Sequence, residues 1–188
     1  LAWSTVSNLS YILFGVTIMT PLGMAAAITH LVCHAFMKIT GFFCAGAVIH
    51  QTERQYVHQL NGLGRSMPVI FGCFTAASLA LMGVPGLAGF VSKWSLAQAA
   101  VSSGSPLALA GVGALLASAL LTACYLLSIV VRAFFPAADF DESTLEGVQD
   151  PSWLMLLPIL LLTGVVIFLG LCSTPLLQFI AGVAGGQI

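Results

Sequence analysis

Long apolar runs, not an alternation of apolar and polar positions, organise this chain. The first covers about residues 2–20 and stops at Pro21, which cannot continue a helix. The second covers about 22–49, and a polar stretch from His50 to Ser66 follows, carrying Glu53, Arg54, His58 and Arg65. The third covers about 67–102 and is interrupted by Gly83-Val84-Pro85-Gly86-Leu87-Ala88-Gly89. The fourth covers about 106–135, an acidic loop runs from Pro136 to Asp150, and the fifth covers about 152–180. A hydrocarbon core about 30 Å thick takes about 20 apolar residues per helix. The pattern therefore predicts an all-α integral membrane fold with about five crossings.

The third run admits two readings: one crossing by a broken helix, or two short spans joined by an ordinary Gly/Pro loop. Loop charge chooses between them, because basic residues collect on the cytoplasmic side. A single crossing puts Arg54, Arg65 and Arg132 on one side, whereas two crossings move Arg132 to the other. The single crossing is the expectation, with the break at Pro85, Gly86 and Gly89. Irregular backbone within a bilayer is tolerated only against protein or a wet cavity, and discontinuous helices recur in transporters.

Composition strengthens the membrane reading. Of 188 residues 59% are hydrophobic and 6% charged, with a mean hydropathy of +1.06. A soluble domain carries about a quarter of its residues charged. The net charge of −1 offers no electrostatic case for nucleic acid. The five cysteines, Cys33, Cys44, Cys73, Cys124 and Cys172, lie in apolar runs without CxxC spacing and read as small buried hydrophobes. Leu1 to Tyr11 already reads as membrane helix, with neither a charged leader nor a small-residue cleavage site, so no signal peptide is expected. The sequence is expected to be a fragment whose N-terminal half lies elsewhere in a longer chain.

Two lysines stand in apolar surroundings. Lys38 lies mid-helix between Ala35-Phe36-Met37 and Ile39-Thr40-Gly41, and Lys93 lies just past the break. An intramembrane lysine costs about 2.5–3.5 kcal/mol on insertion scales, so it faces protein or water. Desolvation brings such an amine toward the range where it exchanges protons. The alternative is a structural partner for a carboxylate on a neighbouring segment. His30, His34 and Lys38 recur at i, i+4 and i+8 and share a helix face. They could hand a proton along the helix through water, pack as satisfied histidines, or supply two metal ligands; no third ligand has suitable spacing, so no metal site is expected. Ser4, Ser7, Asn8 and Tyr11 form a polar stripe that reads as interhelical glue or as the lining of a hydrated path. Tyr125 is a further possible lining residue, and Arg132 an interfacial anchor. All six acids lie in the polar loops.

Three segments together resemble the proton-conducting, antiporter-like subunits of respiratory complex I, membrane-bound hydrogenases and multisubunit Na+/H+ antiporters. Leu1-Ala-Trp-Ser-Thr-Val-Ser-Asn-Leu-Ser-Tyr11 is similar to the family's LAYSSxSQxGY, and His30-Leu-Val-Cys-His-Ala-Phe-Met-Lys38 to HLxxHAxxK. Gly62-Leu-Gly-Arg-Ser-Met-Pro68 followed by Gly83-Val-Pro-Gly-Leu-Ala-Gly-Phe-Val-Ser-Lys-Trp94 is similar to GLxxxMP…GxPPxxGFxxK. The resemblance spans about residues 1–135. Gly86 replaces the family's second proline, and Asn8 and Ser10 replace its glutamine and glycine.

The resemblance implies the second of two inverted five-helix bundles, incomplete, in residues 1–135, then an acidic loop at 136–151 and a final flanking transmembrane helix at 152–181. It implies that Lys38 is a central-axis lysine, Lys93 the lysine on the broken helix, and His30 and His34 members of the polar axis between them. The expected function is proton or cation/proton translocation within a complex I-type NADH-quinone oxidoreductase or related hydrogenase complex. The alternatives are a multisubunit Na+/H+ antiporter without redox partners and a non-conducting scaffold. No cofactor is expected in this chain; flavin, iron–sulfur or nickel centres would sit in partner subunits. The expected partners are other membrane subunits, the N-terminal half of the same chain and lipid, in a bacterial or archaeal inner membrane.

Overall fold

The computed structural model describes residues 1–136, 145 and 147–185, so most of the acidic loop lies outside the described residues. The described elements are all helical: α1 (Ala2–Thr17), α2 (Pro21–Thr52), the short α3 (Leu63–Ser66), α4 (Pro68–Met82), α5 (Ala88–Ser102), α6 (Pro106–Phe134), α7 (Trp153–Leu171) and α8 (Thr174–Ala184), with a 3-10 turn at Val57–Leu60. Helices α2, α6 and α7 are each long and apolar enough to cross a bilayer.

Helix α2 is the axis of the bundle. Thr20 caps it by accepting the Gly23 N–H at 3.0 Å, and Pro21 opens its first turn, where a missing N–H costs nothing. Its 32 residues extend about 48 Å at 1.5 Å per residue and contact α1, α4, α5, α7 and α8. Helix α1 runs antiparallel beside it, close enough that a Cβ on Gly15 would lie 3.1 Å from the Gly23 carbonyl oxygen.

The interrupted third run crosses once. Ile70, Phe71 and Phe74 of α4 meet Cys44, Ala45 and Val48 of α2 around one apolar cavity. Further along, Gly89 approaches Met37, Ser92 bonds His30, and Leu96 and Ala99 cluster with Ala26. The contacts descend α2 in order, so α4 and α5 follow one another along a single antiparallel path. The break has a definite local chemistry. Gly83 takes a left-handed φ of 95° and its N–H reaches the Leu79 and Ala80 carbonyls, closing α4. Val84-Pro85-Gly86-Leu87 then turns, with the Leu87 N–H on the Val84 carbonyl at 3.3 Å and Gly86 at φ 88°. Proline second and a positive-φ glycine third are the requirements of a type II turn. The single proline suffices.

The arginine side is likewise as expected. The Gly62 N–H donates to the Arg132 carbonyl at 3.1 Å, and Arg65 Nε to the Phe134 carbonyl at 3.4 Å. These bonds place the loop after α2 and the end of α6 at the same face.

The final run departs from the expectation of one helix over 152–181. Helix α7 ends at Leu171, with the Cys172 N–H on the Phe168 carbonyl at 2.8 Å, and α8 starts at Thr174. Pro175, with no N–H to donate, falls in the first turn of α8, where none is needed, whereas Pro158 is carried inside α7. This second break lies against the first: a Cβ on Gly170 would fall 2.3 Å from the Gly86 carbonyl oxygen.

Buried side chains of α2, α4, α6 and α7 form the larger core cluster, and Tyr11, Ala26, Leu96, Ala99 and Leu115 a smaller one. Trp3, Leu107, Leu120, Leu121, Leu154 and Phe168 point outward and are well exposed, the apolar exterior a lipid-facing bundle needs. Cys33, Cys44 and Cys73 are buried and Cys124 and Cys172 exposed, all as free thiols.

Candidate functional site

The polar face of α2 is turned inward. His30, His34 and Lys38 are all buried, on successive turns of one helix, and the His30 and His34 rings stack with centroids 5.9 Å apart and planes 18° from parallel. Lys93 on α5 is buried as well. The structure thus brings together the four residues singled out in the sequence.

At one end, Lys38 Nζ donates to the Leu1 carbonyl at 2.7 Å and to Ser4 Oγ, and lies 5.8 Å from the Phe42 ring centre. At the other, Lys93 Nζ donates to the Leu81 carbonyl at 2.7 Å and the Met82 carbonyl at 3.1 Å. Those are the last carbonyls of α4, the negative end of its dipole and among the groups a helix terminus leaves unpaired. Lys93 reaches them because a long helical side chain leans back toward its own N-terminus, across the break. Its ammonium also lies 5.8 Å from the Tyr11 ring centre, and that ring meets His30 edge-on at 5.4 Å. Tyr11 is therefore the element of α1 that touches both His30 and Lys93.

His30 Nδ1 and Ser92 Oγ are 3.0 Å apart, and Ser92 Oγ donates to the Gly89 carbonyl at 3.1 Å. The Ser92 hydroxyl thus stands between His30 Nδ1 and the Gly89 carbonyl, and the direction of the Nδ1–Oγ bond follows the tautomer of His30. Among the described residues, His30 Nε2, both ring nitrogens of His34 and Asn8 Oδ1 make no hydrogen bond of normal geometry. Buried polar atoms in such a position are satisfied by water or by groups brought from outside the described residues. Imidazole nitrogens open to water can accept and release protons.

The stripe on α1 divides. Ser4, Asn8 and Tyr11 share the buried face, and Asn8 Nδ2 donates to the Ser4 carbonyl at 2.7 Å. Ser7 faces α6 instead, its hydroxyl 3.2 Å from that of Ser118. Tyr125 of α6 is near Ser4, Ser7, Ser118 and Thr122 around a cleft of about 330 Å³, and its buried hydroxyl has no hydrogen-bond partner among the described residues. Pro85, Gly86 and Gly89 all fall at the break; a Cβ on Gly89 would lie 1.7 Å from the Ala80 carbonyl oxygen, so the two half-helices abut there. Sequence reasoning missed Ser92 and the Leu81 and Met82 carbonyls. Ser92 adjoins Lys93 in sequence, but its pairing with His30 depends on the register of α5 on α2. Among the described residues, no group of three histidine, cysteine or acidic side chains gathers as a metal site.

A broken membrane helix carrying a buried lysine, set against a helix with a buried His-His-Lys row, describes an antiporter-like membrane subunit. The chain belongs to the NADH:quinone oxidoreductase/Mrp antiporter transmembrane family, whose profile matches residues 1–122. It is 35% identical over 178 residues to NADH-quinone oxidoreductase subunit L of Rickettsia felis, an alignment covering 95% of this chain and 26% of that protein. It is 32% identical over 187 residues to subunit N of Desulforudis audaxviator, covering 95% of this chain and 37% of that one. The chain thus spans about a quarter to a third of the length of these relatives. Among solved structures, it superposes on a chain of the Mrp complex from Dietzia sp. with a TM-score of 0.81, at 25% identity, over 97% of this chain and 41% of that one. A chain of the membrane-bound sulfane sulfur reductase, an archaeal respiratory membrane complex, gives 0.79 at 31% identity over 90% and 27%.

Proposed function

We propose that this chain carries part of a transmembrane proton path, running from Lys38 through His34 and His30 to Lys93. The observation that carries the reading is the buried row itself: two lysines at the ends and, between them, imidazoles with three ring nitrogens that make no hydrogen bond of normal geometry among the described residues. Water at those nitrogens would join the His34 ring to Lys38, one helical turn on, and the His30 ring to the Lys93 side. His30, held by Ser92, keeps Nε2 directed into the row.

The parent is read as an antiporter-like subunit of a complex I-type oxidoreductase in a bacterial or archaeal inner membrane, assembled with other membrane subunits. The likeness to NADH-quinone oxidoreductase subunits L and N supports this. Redox centres would belong to partner subunits. The fit to the Mrp complex supports a second reading, a cation/proton antiporter subunit without redox partners. Co-purification distinguishes the two, by iron–sulfur or nickel proteins in one case and small membrane partners in the other.

The direct test is Lys93→Ala and Lys38→Ala in the full-length parent complex, with proton flux measured in sealed vesicles per assembled complex. Flux should fall at least tenfold in each. Unchanged flux and coupling in both would sink the path, and lost assembly with normal residual flux would favour a scaffold.

A further inference from the structure

Helix α4 is held at both ends by charged side chains from elsewhere in the chain, Asp150 just before α7 and Lys93 of α5. Pro68 has no N–H, so the amides of Val69 and Ile70 are the first donors of α4, and Asp150 takes both: Oδ2 accepts from Val69 N–H at 3.1 Å and Oδ1 from Ile70 N–H at 3.2 Å. The next amide, of Phe71, already returns to the Met67 carbonyl at 3.1 Å. At the far end the Leu81 and Met82 carbonyls receive Lys93 Nζ. A carboxylate sits at the positive end of the helix dipole and an ammonium at the negative end.

The 15 residues of α4 are about 22 Å long and are bounded by non-helical backbone at Met67 and left-handed Gly83. Neither boundary continues a helix, so α4 is placed by its packing against α2, α6 and α7. The last span touches this path at two points. Asp150 leads into α7 and grips the start of α4, while Gly170, at the other end of α7, abuts Gly86 in the turn that follows α4. The last span therefore meets the half-helix at its start and again in the turn beyond its end.

We propose that Asp150 is a positioning residue for the Lys93 site: it fixes the axial position of α4 and so keeps the Leu81 and Met82 carbonyls within reach of the ammonium. Its consequence for flux rests on the translocation reading above; its consequence for α4 does not.

The test uses the full-length parent complex with Asp150→Ala, Asp150→Asn and Asp150→Glu. Hydrogen–deuterium exchange is followed on peptides covering 79–84, and proton flux per assembled complex in vesicles. With Asp150→Ala, exchange at 79–84 should accelerate about tenfold while peptides of α6 stay unchanged, and flux should fall about tenfold. Asp150→Glu, which keeps the charge, should return both to within about twofold, and Asp150→Asn should lie between. In a Lys93→Ala background, Asp150→Ala should lower flux no further. Faster exchange confined to 69–71 with flux intact would overturn the proposal, as would additive losses with Lys93→Ala. Should Asp150→Ala not assemble, the Asp150→Asn and Asp150→Glu pair makes the same comparison. If exchange at 79–84 responds while Lys93→Ala and Lys38→Ala leave flux untouched, the positioning stands and the translocation reading falls.

Discussion

His30 and Ser92, 62 residues apart in the chain, meet at 3.0 Å across the interface between α2 and α5. Ser92 Oγ also lies 3.1 Å from the Gly89 carbonyl oxygen, and a hydroxyl hydrogen spent on that carbonyl makes Nδ1 the donor of the neutral ring. Nε2 is then the free acceptor facing the row.

Replacing Ser92 with Ala should remove that control. The lost buried hydrogen bond costs about 1–3 kcal/mol where a donor is left unsatisfied. Proton flux per assembled complex should fall several-fold, and Ser92→Thr, which keeps the hydroxyl, should recover most of it. Equal flux in the alanine and threonine variants would show that the His30 tautomer does not matter.

The two serines of α1 should behave differently. Ser4 accepts from Lys38, whereas Ser7 pairs with Ser118 on α6. Ser4→Ala should depress flux in vesicles and Ser7→Ala should leave it within about twofold, its hydrogen bond being worth only about 1 kcal/mol of stability. The reverse ranking would place the path on the α1–α6 side.

The break should depend more on its glycines than on its proline. Gly83 and Gly86 have φ of 95° and 88°, which L side chains rarely adopt. Gly83→Val should cost more than the roughly 1–2 kcal/mol of a left-handed non-glycine residue, because its side chain would also press on Lys93. Pro85→Ala, at a position any residue can occupy, should cost less than about 1 kcal/mol. Thermal unfolding of the detergent-solubilised parent would rank the two, and a larger shift for Pro85→Ala would contradict the turn assignment.

The neighbouring breaks predict a steep contrast within one helix. Gly170→Ala places a Cβ 2.3 Å from the Gly86 carbonyl oxygen, while Gly164→Ala meets nothing within 4 Å. The first should destabilise by at least the 1–3 kcal/mol typical of overpacking. The second should be neutral or stabilising by up to about 1 kcal/mol, since alanine loses less backbone freedom in a helix than glycine. Matching melting temperatures for both variants would mean that α7 and the turn are not in contact.

Much of the fold was legible because bilayer thickness makes run length a strong signal: the spans of α2, α4–α5 and α6 were read from apolar runs and their Pro and Gly punctuation. Three arginines were enough to choose one crossing over two for the broken helix. The second break is not legible in the sequence because Cys172-Ser173-Thr174-Pro175 lacks the paired glycines of the first and sits in an apolar run. Whether a proline at such a point starts a new helix or kinks an old one is decided by its neighbours.

By itself, then, the sequence determined that this is a multi-span helical membrane chain, that one span is broken, and that His30, His34 and Lys38 share a face. Those follow from local quantities, namely apolar run length, turn chemistry and the 3.6-residue repeat. Only the tertiary structure decided what Lys93 bonds to, which nitrogen Ser92 occupies, and that Asp150 caps a helix some 80 residues earlier in the chain. Each of these depends on the axial register of one helix on another. Register is set by close contacts such as Gly89 on Ala80 and Gly170 on Gly86, which no single helix encodes.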